Sequence, residues 1–435
     1  MKKTLIIIFS LVLALLFSSC DGVVLYPELL MQPPVFSAEQ KQIYNALNES
    51  IGKDFLLQYP TQGDNRSAII LNDLDEDGKN EALVLYKANE EADTRINVLS
   101  QTNDGWRTVC DVAGYSGDVR EIEFCKISDT KQKSVLIGFD QSTVSTNIML
   151  VYNYQNGRLL PLYIRDYSAL NVGDINNDST DELIVINNNF SSRKAYASVL
   201  SIKNNEIVTE LEVPMNEDVL EYKGIRFGSI SDSNPALYID SKLSSGSLIT
   251  EVLVYNNGAL TNFSYGYDSV LIEETMRQNE ILCEDIDNDG TIEIPTTVAF
   301  KESILTETAV PLTAWKSFNG FSLETVKISA DNLNYGYRVF MPENWLENRV
   351  IVNDIISNNE WRFMGIGEDN MQFSQTLLSI RVYSSGEIID NTSLKGYTKF
   401  YESVTHSYYA YIPENVSEEY KITLEQLKQN FSLIK

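Results

Sequence analysis

A chain of 435 residues, 43 % of them apolar, is long enough to bury more than one core. It carries 61 acids against 34 bases, a formal net charge of −27, and no basic stripe interrupts that excess. This balance excludes nucleic acid as a natural partner and favours cations, cationic surfaces or neutral ligands.

The chain opens with Lys2 and Lys3, the apolar run TLIIIFSLVLALLF, and then Ser18, Ser19 and Cys20. The run is shorter than the ~20 residues of a comfortable membrane span. The sequence FSSC resembles a bacterial lipobox, with Phe17 where leucine is commoner. That resemblance implies cleavage before Cys20 and a lipid on its sulfur; a plain secretory signal or an uncleaved anchor are the alternatives. Residues 1–19 then form a signal peptide, and residues 20–36, with Pro27, Pro33 and Pro34, a lipidated tether. Cleavage removes two lysines and no acid, taking the charge from −27 to −29. The expected location is the outer face of a bacterial membrane, held there by the lipid anchor.

Residues 37–65 read as a helix and a lead-in. Ser37 and Gln40 form a capping box, Ile43, Leu47 and Ile51 share one face, and Gly52 can end the helix. Its expected place is against the first repeat unit, or plugging an opening.

Residues 66–330 repeat. NDLDEDGKNEALVLY begins at Asn72, GDINNDSTDELIVIN at Gly173, and a third copy brings Asp285 into line with Asp73 and Asp174. Weaker copies align Lys126 and Ser229 with those aspartates, giving periods of 53, 48, 55 and 56 residues. Before each loop the residues two and four back are apolar: Ile69/Leu71, Ile122/Phe124, Leu170/Val172, Ile225/Phe227 and Ile281/Cys283. This is the alternation of a half-buried strand. About thirty residues after each loop comes a turn signal: NDGW at 103, QNGR at 155, NNEI at 204, NNGA at 256 and FNGF at 318. Each unit therefore reads as strand, loop, strand, strand, tight turn, strand. The expected fold is mainly β, a propeller-like array of about five four-stranded blades, with an open stack of sheets as the structural alternative.

In three units the loop is crowded with carboxylates. Asp285, Asp287 and Asp289 alternate, Gly290 follows, and Glu293 lies eight residues after the first aspartate. Like charges at this spacing repel unless something neutralises them, and a hard divalent cation such as Ca²⁺ does so with six to eight oxygens. A backbone carbonyl at Lys79, Thr180 or Thr291 would help complete each shell. The last acid falls at position nine and strands follow, which separates these loops from an EF-hand. The spacing resembles the calcium loops of FG-GAP/VCBS repeats, the blades of integrin-α-like propellers. That resemblance implies three structural Ca²⁺ sites: Asp73, Asp75, Asp77 and Glu81; Asp174, Asn176, Asp178 and Glu182; Asp285, Asp287, Asp289 and Glu293. The second departs from the pattern at Asn176 and Ser179, and is expected to be the weakest. No metal is expected at the copies beginning at Lys126 and Ser229, which lack the carboxylates.

Residues 331–435 change character and read as a separate small α+β domain. YGYRVFMPENW, RVIV, WRFMG, LLSIRVY and SYYAYIP look like strands, and Thr423 with Gln426 makes a second capping box. The run GYRVFMPENW resembles the start of PsbP/Mog1-like domains. Cys110, Cys125 and Cys283 are expected to be free thiols, since Cys110 and Cys125 fall on an outermost and an innermost strand.

No active site is compelled. His406 is the single histidine, and neither a zinc cluster, a GxSxG elbow nor a phosphate loop is present. Trp106, Trp315, Trp345 and Trp361 are expected in cores, whereas YGYDSV at 265 and the pair Tyr408/Tyr409 are candidate exposed aromatics. The reading is a calcium-binding surface lipoprotein acting as a non-enzymatic interaction module, with an unknown protein or carbohydrate ligand. The alternatives are an extracellular carbohydrate-active enzyme, or an accessory subunit of an envelope complex.

Overall fold

The computed structural model describes residues 36–434 apart from 89–90, 128–131, 142–145, 190, 204–205, 231–233, 266–269, 299–307, 347–349, 367–372, 388, 390 and 391. The leader, most of the tether and Cys20 lie outside the described residues.

Helix α1, Ala38–Ile51, forms with its capping box intact: Gln40 N–H donates to Ser37 Oγ and Ser37 N–H to Gln40 Oε1. Ile43 and Leu47 are buried, and Gly52 ends the helix at φ 89°. The apolar stripe packs on Ile69, Ala82, Val84, Tyr86, Leu99 and Trp106 of the first sheet.

Four antiparallel sheets follow in chain order. The first contains Ile69–Asn72, Glu81–Ala88, Asp93–Thr102 and Gly105–Ser116, with Phe55–Leu57 added against the far end of Glu81–Ala88. The second contains Asp118–Cys125, Ser134–Asp140, Asn147–Gln155 and Arg158–Tyr167. The third contains Ala169–Gly173, Glu182–Asn189, Lys194–Lys203 and Glu206–Pro214, and the fourth Val219–Ile230, Asn234–Leu243, Leu248–Asn256 and Ala259–Asn262. Each has the strand order that the repeat predicts, while residues 204–205 of the turn expected in the third lie outside the described residues. The tight turns at Asn156-Gly157 and Asn257-Gly258 have both central residues at positive φ, the geometry that matches strand twist.

The second strand of each unit is apolar on both faces because it is covered on both. Leu83 and Leu85 enter the core shared with the second sheet, while Ala82, Val84 and Tyr86 face α1. Further cores join the second sheet to the third, the third to the fourth and the fourth to the fifth. No hydrophobic cluster of the described residues joins the first sheet to the fifth. The outer strands are more exposed, and Pro161 and Pro214 stand on them, the edge position to which proline is confined in sheets.

The fifth unit departs from the repeat. Ile281 and Cys283 are buried as expected, yet no innermost strand forms there, only an isolated Glu284–Glu293 bridge. The polar groups of that segment are taken by the fourth unit instead: Cys283 N–H donates to Asp240 Oδ2 at 2.7 Å, and Arg226 Nε donates to the Cys283 carbonyl at 3.3 Å. The sheet is built from Ile294–Thr297, Thr313–Phe318, Leu323–Asn332, Tyr337–Phe340 and Phe431–Leu433. The division expected at residue 330 thus falls inside a strand, and one sheet continues into the C-terminal segment.

A sixth sheet holds Ala309–Val310, Val350–Ile355, Glu360–Ile366, Phe373–Ser384, His406–Tyr411 and Thr398–Glu402. The segment MPENW, read as the end of a strand, contains the short helix Glu343–Leu346 instead, with Trp345 buried. Helix Leu424–Gln429 carries the second capping box. Cys110 is half-buried, Cys125 and Cys283 are buried, and all three are free.

Candidate metal centres

Residues 73–81, 174–182 and 285–293 (loops 1, 2 and 3) are closed in the same way. The residue before the first aspartate pairs with the last glutamate: Asn72 with Glu81, Gly173 with Glu182, and Glu284 with Glu293. The register of two strands in loops 1 and 2, and a single isolated bridge in loop 3, bring an acid eight residues away back to the loop entrance.

Inside the loops the hydrogen bonds repeat position by position. The first aspartate accepts two backbone N–H groups through its two oxygens: Asp73 from Asp77 (3.2 Å) and Gly78 (3.0 Å), Asp174 from Asp178 (3.1 Å) and Ser179 (2.7 Å), Asp285 from Asp289 (3.1 Å) and Gly290 (3.0 Å). The fifth residue accepts from the seventh: Lys79 N–H to Asp77, Thr180 N–H to Asp178 and Thr291 N–H to Asp289. The closing glutamate accepts the N–H of the second residue, from Leu74, Ile175 and Ile286, each at 3.0 Å.

Two positions per loop lie in the left-handed region. They are Glu76 and Gly78 (φ 58° and 89°), Asn177 and Ser179 (60° and 70°), and Asn288 and Gly290 (60° and 89°). The glycine position was legible in sequence. The fourth position was not, because Glu76 gives no turn signal, although asparagine in the other two loops tolerates this conformation. Ser179 adopts the strained turn that glycine takes elsewhere. Ser179→Gly is expected to raise the stability of the chelator-treated protein by up to about 1 kcal/mol, read as a higher unfolding midpoint in urea.

Carboxylate oxygens of Asp73, Asp75 and Glu81 converge to within 4.8 Å of one another, as do those of Asp285, Asp287 and Asp289. In loop 2, Asn176 removes one charge, and its Nδ2 donates to Glu182 Oε1 at 2.7 Å. The closing glutamates are the buried members: Glu81 and Glu182 are 5 % exposed and Glu293 1 %. Burial, with the neighbouring aspartates adding to it and the backbone N–H opposing it, raises Glu81 above the usual carboxylate range. The same causes push Glu182 and Glu293 up to about 7. A divalent cation would reverse that tendency by stabilising the ionised forms. The donor set is entirely hard oxygen, which suits calcium and is unlike a zinc site. The copies at Lys126 and Ser229 place no carboxylate at these positions.

Of the other candidates, the four tryptophans are core residues, each 7 % exposed or less. Tyr408 corrects an expectation: it is 1 % exposed, packed among Tyr337, Tyr401 and Phe431, and its hydroxyl donates to the Tyr335 carbonyl at 3.1 Å. Tyr265 is exposed, while 266–269 lie outside the described residues. His406 begins a strand, edge-on to Tyr335, with Nδ1 2.9 Å from Thr405 Oγ1. Sequence reasoning had no signal for Glu284, which turns to Arg338 at 3.0 Å, a partner 54 residues away.

No family model matches the chain. No curated protein matches it either. Among solved structures it is similar to a protein from Lactobacillus plantarum, at 12 % identity over 74 % of this chain and 94 % of that one, with a TM-score of 0.34. It is similar to the rhamnogalacturonan lyase YesW at 10 % identity over 74 % and 76 %, TM-score 0.35. It is also similar to Saccharomyces cerevisiae Sqt1 at 8 % identity over 80 % and 95 %, TM-score 0.33. Likeness at this level assigns neither a fold family nor an activity.

Proposed function

We propose that this chain is a calcium-binding lipoprotein of the outer face of a bacterial membrane, acting as a non-enzymatic interaction module. In this reading the repeats are propeller-like blades of the FG-GAP/VCBS kind, three of them pinned by a structural Ca²⁺. The C-terminal α+β part, which shares the fifth sheet with the repeats, is PsbP/Mog1-like, and Cys20 carries the lipid. The observation that carries the calcium reading is the threefold recurrence of one loop geometry, with a buried glutamate returned to each loop by backbone pairing. The ligands would be Asp73, Asp75, Asp77 and Glu81 in loop 1, Asp174, Asn176, Asp178 and Glu182 in loop 2, and Asp285, Asp287, Asp289 and Glu293 in loop 3. In loops 1 and 2 the bound ion would tie the first two strands of a blade together, and in loop 3 it would hold the bridged segment to the sheet, a stabilising role. The partner is a protein or carbohydrate that tolerates a strongly acidic surface.

Equilibrium dialysis of the chain from Cys20 onward tests the reading. Three ions per chain are expected at millimolar calcium, with affinities on the order of 10⁻⁴–10⁻³ M. One ion is lost in the double variant Asp285→Ala, Asp287→Ala. Each site filled at 100-fold over its dissociation constant should add about 2.7 kcal/mol of stability. No bound calcium would end the reading. Screening the loaded protein against extracellular polysaccharides then separates module from enzyme: binding without turnover supports the module, and turnover overturns it.

A further inference from the structure

A cavity of about 550 Å³ opens between the strand Leu323–Asn332, the short helix Glu343–Leu346 and the helix Leu424–Gln429, away from all three loops. Its size is that of a small-ligand site. Hydrogen bonds fix its walls before any ligand arrives. Asn344 Nδ2 donates to the Glu419 and Lys421 carbonyls at 2.9 and 3.2 Å, and Trp345 Nε1 donates to the Tyr420 carbonyl at 2.9 Å. Met341 N–H donates to the Ile328 carbonyl and Phe340 N–H to the Asn430 carbonyl, both at 2.8 Å. Two opposite charges, Lys327 and Glu343, line the cavity. They are not paired with each other, and among the described residues neither side chain makes an ion pair or a hydrogen bond elsewhere. The side chain of Gln429, on the third wall, is unbonded in the same sense. The remaining lining is largely apolar: Met341 is buried, while Val326 and Leu346 are 39 % and 46 % exposed.

The lining discriminates among ligand classes. A plain anion would meet Lys327 but be repelled by Glu343, and a plain cation would meet the reverse. A neutral sugar would leave both charges unused, and it needs an open aromatic face to stack on. The Phe340 ring is not such a face, because the Lys327 ammonium lies 5.2 Å from its centre and the Arg338 guanidinium 5.6 Å. A zwitterion with an apolar substituent uses every feature at once. We propose that this cavity binds apolar amino acids or short apolar peptides by their free ends, with the carboxylate on Lys327 and the ammonium on Glu343. The substituent rests on Val326, Met341 and Leu346, and Gln429 serves the peptide group of a ligand longer than one residue. Because the walls are already fixed, little ordering cost opposes binding. The site requires neither the calcium loops nor the lipid anchor.

The test is a ligand-observed NMR titration of the chain from Cys20 onward, run in calcium and again in chelator. Four probes are used: leucine, leucyl-leucine, N-acetylleucine, which lacks the ammonium, and leucinamide, which lacks the carboxylate. At least one of the two zwitterions should bind with a dissociation constant on the order of 10⁻³ M, as befits so few atoms. Each blocked form should bind roughly fivefold or more weakly, the loss of one charge-assisted contact. Lys327→Met should weaken the zwitterions and N-acetylleucine but leave leucinamide unchanged. Glu343→Gln should weaken the zwitterions and leucinamide but leave N-acetylleucine unchanged. A merely structural role for either side chain would not produce this cross-matching. Both variants should unfold in urea close to the parent midpoint, because neither charge has an ionic partner in the protein. The proposal is overturned if neither zwitterion binds at millimolar concentration, if the blocked forms bind as well as the zwitterions, or if a variant loses all four probes alike. None of these outcomes touches the calcium reading, which the dialysis above decides.

Discussion

Replacing Arg277 by methionine should destabilise the protein by about 3–5 kcal/mol, the largest effect expected of a single change here. Arg277 and Asp240 are fully buried, with their ion pair at 2.7 Å. The guanidinium also donates to Thr250 Oγ1 and the Thr275 carbonyl at 3.0 Å, and to the Ile281 carbonyl at 2.8 Å. Asp240 in turn accepts from Thr250 Oγ1 and Cys283 N–H, both at 2.7 Å. Removing the arginine strands a carboxylate in the interior and frees two carbonyls, so the loss combines an uncompensated charge with unmade hydrogen bonds. Lysine restores the charge but lacks the planar fork, and Arg277→Lys should recover only part of the loss. Urea denaturation in calcium measures both variants. A change below about 1 kcal/mol for Arg277→Met would show that the cluster is dispensable. Its position explains the expected size: this cluster stands in for the innermost strand that the fifth unit lacks.

The second large effect is pH-dependent. Glu251 is fully buried on the strand Leu248–Asn256. Oε1 accepts Asn216 N–H at 2.9 Å and Asn262 Nδ2 at 3.0 Å, while Oε2 has no hydrogen-bond partner. No lysine or arginine pairs with it among the described residues, and the Tyr222 hydroxyl lies close by. Burial pushes the Glu251 carboxyl up to about 7, against the two hydrogen bonds that oppose the rise. Well below pH 4 the group is protonated whether the chain is folded or not and has no effect on stability. Between the ordinary carboxylate range and about 7 the folded state keeps a proton that the unfolded chain releases, so stability falls as pH rises; above that it levels off. Glu251→Gln removes this dependence. The variant should match the parent near pH 4 and exceed it by about 3 kcal/mol at pH 8, at 1.36 kcal/mol per pH unit of displacement. Taking the difference between the two proteins isolates Glu251 from Glu123, Glu182 and Glu293, which are also pushed up to about 7. A difference that stays flat from pH 4 to 8 would show that Glu251 is not held protonated.

What the sequence determined by itself was short in range. The capping boxes at Ser37/Gln40 and Thr423/Gln426, the Asn-Gly turns and the alternation before each loop depend on residues a few positions apart. Backbone sterics and local hydrogen bonding decide such features, so they can be read without knowing the fold. The loops were legible for the same reason: both oxygens of each first aspartate are taken by N–H groups within five residues. Only the tertiary structure decided the rest. Asp240 and Arg277 are 37 residues apart, Lys126 and Asp181 are 55, and the strand Phe431–Leu433 pairs with Tyr337–Phe340 across some ninety residues of chain. Whether Ile281–Cys283 became a strand depended on what the fourth sheet offered its backbone. Whether Tyr408 was exposed depended on Phe431 arriving from the far end of the chain. Buried polar groups must find partners wherever the fold supplies them, and that supply is set by sheets meeting in space, not by neighbours in the chain.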